Sequence, residues 1–206
     1  MTTKFTKKPD AVVHAIPLRL KPKASPLQAQ NLKFYTLKSQ NGIFYLTDSA
    51  GEIAAQNAES AEFQFVVLKH QTEHGDYLEL RISQGNHWYI AGGDALDENN
   101  MAVMAAGDLH LSFGKIKKIT DQSGGFYIPN TEPDASQKKL SALHAMKAVG
   151  LPLDRFQPFV QDDKALMFST ALQFQKLVAS TCSRETLAEG QKGEPKSTKS
   201  TTLTCA

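Results

Sequence analysis

Short runs of alternating hydrophobic and polar residues fill the middle of the chain and predict an antiparallel β-sheet. In the clearest run, residues 77–82, every second residue from Leu78 to Ile82 is apolar. Alternation with a period of two places successive side chains on opposite faces of a strand. Asn41-Gly42 and Gly114 are turn signals between such runs. On this basis strands are predicted at residues 32–37, 43–47, 63–69, 77–82, 87–91, 109–113 and 115–120.

One helix is predicted, because an apolar stripe with a repeat near 3.6 residues runs from about residue 135 to residue 149. Gly150 and Pro152 follow, and they prevent the helix from continuing. Strands followed by a helix predict an α+β fold. We expect a curved antiparallel β-sheet, or a partly closed barrel, packed by this one main helix. The stretch from Leu166 to Val178 is ambiguous, and its spacing fits a strand better than a helix.

Composition divides the chain into three parts. Residues 1–30 are basic and contain four prolines, which predicts an extended arm. Residues 31–182 carry the strand and helix patterns and predict a single β-rich domain. Residues 183–206 are mostly Glu, Gly, Lys, Ser and Thr. Such a segment buries too little apolar area to offset the entropy of ordering, so a disordered tail is predicted.

Charge and targeting signals exclude several classes of protein. The formal net charge is only +2, from 23 basic and 21 acidic residues, which argues against bulk electrostatic binding to nucleic acid. No apolar run approaches the roughly 20 residues of a membrane-spanning helix, and the N-terminus lacks the apolar core of a signal peptide. The two cysteines, Cys182 and Cys205, suit a reducing compartment. We therefore expect a cytoplasmic protein without a transmembrane segment.

Candidate catalytic residues are few, and no motif joins them. A general acid–base site would use the residue types of His87, Asp108, His110, Ser123 and Tyr127, although the sequence does not show that they converge. Each histidine is predicted to lie at the surface. No metal-ligand, phosphate-binding or nucleophile motif occurs, so no metal or other cofactor is expected.

Candidate binding residues fall in two groups. Trp88 and Tyr89 predict an apolar patch of the kind that binds another protein. Lys115, Lys117 and Lys118 predict a basic patch that suits an acidic protein or, as a weaker alternative, peripheral contact with an anionic membrane.

The loop Ser123-Gly124-Gly125-Phe126-Tyr127-Ile128-Pro129 lies between the hairpin around Gly114 and the predicted helix. This arrangement resembles a module of plant IQ-motif calmodulin-binding proteins and of assorted bacterial toxins and effectors, whose loop reads Ser-Gly-His-Tyr-x-Pro. Gly125 stands where that module has histidine, and one extra residue precedes Pro129. The resemblance spans roughly residues 43–150 and implies the fold but no reaction.

The end of the chain adds a second resemblance. Glu185, Glu189 and Glu194 lie among many Ser and Thr residues, and Leu203 is close to the terminus. This composition is similar to the C-terminal signals of Dot/Icm type IV secretion effectors. The implied function is a bacterial effector or accessory protein, associated with virulence and secreted into a host cell, that acts by binding a protein. The alternative is an enzyme of unknown reaction with a cleft near His87, His110, Ser123 and Tyr127.

Overall fold

A seven-stranded antiparallel sheet is the centre of the fold in a computed structural model that describes residues 3–5, 14–19, 32–97 and 100–159. The strands are β1 (Thr3–Phe5), β2 (Thr36–Gln40), β3 (Ile43–Thr47), β4 (Ala61–His70), β5 (Tyr77–Ser83), β6 (Met101–Ser112) and β7 (Lys115–Ile119), and the helices are α1 (His87–Ala91) and α2 (Ala135–Ala148). The order across the sheet is β1-β5-β4-β6-β7-β3-β2. The predicted α+β class is confirmed.

The sheet curves strongly without closing fully. Tyr35, just before β2, forms an antiparallel bridge with Ile82 of β5, and its N–H donates to the Ile82 carbonyl at 2.9 Å. Elsewhere in the sheet, β3 and β7 share one register pair, Tyr45 with Lys115. The sheet is therefore continuous between these two strands at only one position.

The turn between β2 and β3 forms as its sequence predicts. Asn41 and Gly42 both have positive φ, at 52° and 72°, and Gln40 pairs with Ile43 on either side of them. Two successive positive φ angles match the twist of the flanking strands in a two-residue hairpin, and Asn-Gly adopts them at little steric cost.

The long pair β4–β6 carries the core. Phe63 faces Leu109 and Phe65 faces Gly107 in the register, and both phenylalanines are buried. A Cβ added at Gly107 would lie 1.9 Å from the carbonyl oxygen of Thr120 and 3.0 Å from the Phe65 ring. Gly107 is therefore required here because the chain just after β7 and the Phe65 ring approach the backbone of β6 too closely for any side chain.

Residues 87–91 form helix α1, so the predicted strand there is wrong. The five residues are an uninterrupted apolar run apart from His87, and such a short run fits a buried strand or a buried helix equally well. The preceding Asn86 decides the outcome, because its side chain accepts a hydrogen bond from the backbone N–H of Trp88 and caps the helix. Gly92, with φ of 129°, ends it.

Arg81 of β5 holds the other end of α1. Its Nη1 donates to the carbonyl oxygens of Ile90 and Ala91 at 3.3 Å and 3.1 Å. Its Nη2 lies 2.9 Å from the buried carboxylate of Glu79, and the same carboxylate lies 2.6 Å from Nε2 of His70. His70 thus belongs to an internal network, and its predicted surface position is wrong.

Helix α2 lies where the apolar stripe predicts it and packs against β6. Gly150 ends it with φ of 82°.

Part of the N-terminal segment packs on the sheet, since the Ile16 N–H donates to the Val103 carbonyl at 2.7 Å and Ile16 is buried. No helix in the described ranges is long and apolar enough to cross a membrane.

Three predictions concern residues outside the described ranges. They are the strand between Leu166 and Val178, the two cysteines and the tail at 183–206.

Candidate functional site

The structure brings together three of the five predicted catalytic residues, His87, Asp108 and His110, and the closest contact is between the first two. Helix α1 positions His87 and strand β6 positions Asp108, and Nε2 of His87 lies 3.6 Å from Oδ1 of Asp108. Both residues are buried. The surface position predicted for His87 is therefore wrong, because α1, the short helix that carries it, packs against β4, β5 and β6.

The geometry of His87 is that of a structural histidine. Its Nε2 lies 2.9 Å from the carbonyl oxygen of Gly107. A carbonyl oxygen only accepts, so Nε2 must carry the hydrogen and donate it. Burial lowers the pKa of His87, outweighing the opposing effects of the Gly107 bond and the Glu62 charge, which favours the neutral ring. The proton on Nε2 is thus held by the backbone rather than aimed at Asp108.

Asp108 is an unusual carboxyl group. Burial, followed by the negative charge of Glu62, raises the pKa of Asp108 to about 6, and a hydrogen bond with Gln64 opposes the rise. Gln64 faces Asp108 across β4 and β6, and Glu62 faces His110 in the next pair of the same face. Nδ1 of His110 lies 3.6 Å from a Glu62 carboxylate oxygen. These side chains form one polar row, called here the Asp108 row (Glu62, Gln64, His87, Asp108 and His110).

Ser123 and Tyr127 serve the local loop. The Ser123 hydroxyl accepts the backbone N–H of Phe126 at 3.1 Å, and the Tyr127 carbonyl accepts from Nε of Arg19 at 2.9 Å. Within the described ranges, no hydrogen bond or ion pair joins either residue to the Asp108 row. The five predicted catalytic residues therefore do not assemble into one site.

The predicted apolar patch at Trp88 and Tyr89 is also absent from the surface. These residues are only 3% and 7% exposed, because α1 packs against β4 and takes both rings into the interior. Of the predicted basic residues, Lys115 and Lys117 are exposed and Lys118 is half-buried opposite His110. Across the part of the chain that is described, no group of three or more His, Cys, Asp or Glu side chains is placed to hold a metal ion.

The apolar side chains at the surface lie elsewhere. Ile43 is 42% exposed, Ile53 38% and Phe113 57%. All three line a groove of about 230 Å³, together with Tyr45 and Gln56. We call this feature the Phe113 groove (Ile43, Tyr45, Ile53, Gln56 and Phe113).

The wall of the Phe113 groove is the turn between β6 and β7. Phe113 and Gly114 have φ of 47° and 74°. A bulky aromatic residue rarely adopts positive φ, where Asn or Gly is normally found. The Phe113 N–H donates to the Ala58 carbonyl at 2.7 Å, and a Cβ added at Gly114 would lie 2.8 Å from Cγ2 of Ile53. The turn is thus fixed against the opposite wall, and the groove is already formed.

Lysines border the groove. Lys38, Tyr45 and Lys115 are neighbours across β2, β3 and β7, so their side chains share one face of the sheet. Lys117 lies two residues beyond Lys115 and is exposed on that face. Among the described residues, no carboxylate forms an ion pair with Lys38, Lys115 or Lys117.

No groove was predicted at this position from the sequence. Lys115 and Lys117 were among the predicted binding residues, whereas Ile43, Ile53 and Phe113 were not. One readable signal existed, because Phe113-Gly114 places an aromatic residue at a turn position that usually carries Asn, Asp or Gly. Comparison of the chain with protein-family models, with curated proteins and with solved structures found no match.

Proposed function

We propose that this chain is a protein-binding module and that the Phe113 groove is its binding surface. The observation that carries the proposal is the position of Phe113, a largely exposed aromatic residue at positive φ on the edge of a preformed groove. Residues held in sparsely populated backbone regions cost about 1–3 kcal/mol each and concentrate at functional sites.

The character of the groove supports binding to a protein. Three large apolar side chains stand at the surface around a concavity, and Lys115 and amide side chains complete its lining. Contiguous apolar patches with a polar rim are typical of interaction sites, and aromatic anchors commonly dominate their affinity.

The enzyme alternative has less support. The Asp108 row has an ionisable pair with a raised carboxyl pKa, which is a feature of some active sites. Of its two histidines, His87 already donates the hydrogen on Nε2 to the Gly107 carbonyl. Ser123 likewise accepts from the neighbouring backbone. A structural role accounts for these contacts.

The wider setting we propose is a bacterial effector or accessory protein that is made in the cytoplasm and secreted into a host cell by a type IV system. Its support is the composition of residues 183–206 and the resemblance of the loop at 123–129 to an effector module. Translocation of a reporter enzyme fused to the full chain tests it, with the chain lacking residues 183–206 as the control. Equal translocation of both fusions would count against a C-terminal signal.

The groove is tested by selecting short displayed peptides against the full chain and measuring the affinity of the enriched peptides. Phe113→Asn removes the aromatic ring and suits the positive φ of the turn. We expect it to weaken binding by about tenfold or more, the loss typical of an aromatic anchor.

The matched control is Phe159→Asn, which removes another exposed aromatic ring that does not line the groove. It should leave the affinity unchanged. Equal binding to wild type and Phe113→Asn, or no enrichment of any common peptide, would overturn the proposal.

A further inference from the structure

We infer that the partner of the Phe113 groove is an acidic, extended protein segment. Such a segment would place one aromatic or branched apolar side chain in the groove and set carboxylates against Lys38, Lys115 and Lys117. This inference rests on the proposed function and specifies the chemistry of the partner.

The apolar part of the partner follows from the size and lining of the groove. Its volume is about 230 Å³, and Ile43, Ile53 and Phe113 supply exposed apolar atoms around it. An apolar cavity of about 150 Å³ accommodates a benzene ring. The groove therefore has room for one large apolar side chain.

The acidic part follows from the charges around the groove. Among the described residues that line the groove, Lys115 is the one that carries a charge. Lys38 and Lys117 lie on the same face, and none of the three has an ion pair with a described carboxylate. Uncompensated charge of one sign around a concavity steers a partner of opposite charge and fixes its register.

Glu52, the residue before Ile53, lies near a separate cluster formed by Lys33 and Asp48. The ammonium of Lys33 donates to the Asp48 carboxylate at 2.8 Å. The pKa of Lys33 is raised mainly by this hydrogen bond, and the charge of Glu52 contributes a smaller part. Glu52 therefore lies close enough to Lys33 to favour its charged form, and it does not line the groove.

The arrangement of the lysines sets a spacing for the partner. Lys38 and Lys115 lie on strands that flank β3 on either side. Neighbouring strands are about 4.8 Å apart, so these two positions are separated by roughly 10 Å, a distance that an extended peptide covers in about three residues. Because successive side chains of an extended chain point to opposite faces, we expect two acidic residues about two or four positions apart, near the apolar anchor.

A concave site favours a peptide over a membrane surface. Apolar atoms that enter a bilayer have to project outward from the protein. Here Ile43 and Ile53 face a groove whose wall is the Phe113 turn. Anionic lipid would attract the same lysines without filling the groove, so vesicles form a separate arm of the test.

The inference is tested with the full chain and three fluorescent peptides in an anisotropy titration. The first has a phenylalanine flanked by glutamates, the second has lysines in place of the glutamates, and the third has alanine in place of the phenylalanine. We expect the first to bind with an affinity that falls as salt is added, and the other two to bind about tenfold more weakly or worse.

Charge reversal provides the decisive control. The double variant Lys38→Glu with Lys115→Glu should bind the glutamate peptide with an affinity lower by about tenfold or more, and it should bind the lysine peptide more tightly than the wild type does. The gain shows that the variant is folded and that the charges act directly. Unchanged affinity for the glutamate peptide would overturn the inference.

Failure of this inference is distinguishable from failure of the proposed function. Selected peptides that are not acidic, yet lose affinity on Phe113→Asn, would leave the groove as a protein-binding site and overturn only the acidic partner. Binding to phosphatidylserine vesicles that depends on Phe113, with no binding of any peptide, would overturn both in favour of a membrane surface.

Discussion

Two regions that adjoin the β6–β7 hairpin, one beside its middle and one at its tip, depart in opposite directions from the usual distribution of polar and apolar side chains. At its middle, the Asp108 row buries ionisable groups, including His87 and Asp108. At its tip, the Phe113 groove leaves large apolar groups at the surface. Buried charge and exposed apolar area are both informative departures from the norm.

The two regions differ in whether their side chains find partners within the domain. Within the Asp108 row, His87 binds the Gly107 carbonyl and Asp108 has Gln64 as a partner. The buried pair His87 and Asp108 therefore has partners from within the domain, whereas Nε2 of His110 is buried without a hydrogen-bond partner among the described residues. The apolar atoms of Phe113 and Ile43 have no comparable cover. Buried polar residues that have hydrogen-bond partners within the domain indicate a structural role. Large apolar residues that are exposed at a strained turn indicate a surface that binds a partner.

The largest effect on the free energy of unfolding is expected from Gly107→Ala, in the middle of the hairpin. The added methyl group would overlap the Thr120 carbonyl and press on Phe65, so β6 and the chain after β7 would have to separate. We expect the free energy of unfolding to fall by more than about 3 kcal/mol, beyond ordinary overpacking, measured by urea denaturation. The control Gly124→Ala, which meets no atom within 4 Å, should have a small effect. Equal stability of the two variants would contradict the assigned packing.

A smaller effect on the free energy of unfolding is expected from Asp108→Asn, and this effect depends on pH. The folded state raises the pKa of Asp108 from its ordinary value of 3.8 to about 6. The folded protein therefore binds this proton more tightly than the unfolded chain. The wild type loses stability from this group as pH rises between about 4 and 6, and the loss persists above pH 6.

The amide that replaces the carboxyl group of Asp108 does not ionise, so the variant escapes that loss. We expect it to be more stable than the wild type at pH 8 by about 1 kcal/mol, after allowance for solvent screening, and to have no such advantage at pH 3. Urea denaturation at the two pH values measures the difference. A constant difference between the two proteins across this range would show that Asp108 titrates normally.

The smallest effect on stability is expected at the tip of the hairpin. Asn tolerates positive φ better than Phe does, so Phe113→Asn should raise the free energy of unfolding by about 0.5–1 kcal/mol, even as it removes binding. Phe113→Ala is the matched variant, because it also removes the ring but does not favour positive φ. Destabilisation by Phe113→Asn that equals that of Phe113→Ala would mean that the ring stabilises the fold.

Much of the fold was predictable because its signals are local. Alternation over residues 77–82, the turn at Asn41-Gly42 and the stripe that forms α2 each specify an element through neighbouring residues alone. Helix α1 was not predictable from periodicity, since five buried residues do not distinguish a strand from a helix. The misassigned helix also explains why Trp88 and Tyr89 were expected at the surface.

Local patterns in the sequence were enough to predict the α+β class, most strand positions and the helix at 135–148, because hydrophobic period and turn chemistry act over a few residues. Long-range packing places His87 beside Asp108, buries Trp88 and brings Ile43, Ile53 and Phe113 into one groove. These residues are brought together by strand order and by the close approach of Thr120 to β6 at Gly107. Such contacts depend on the packing of distant segments, which no local pattern encodes.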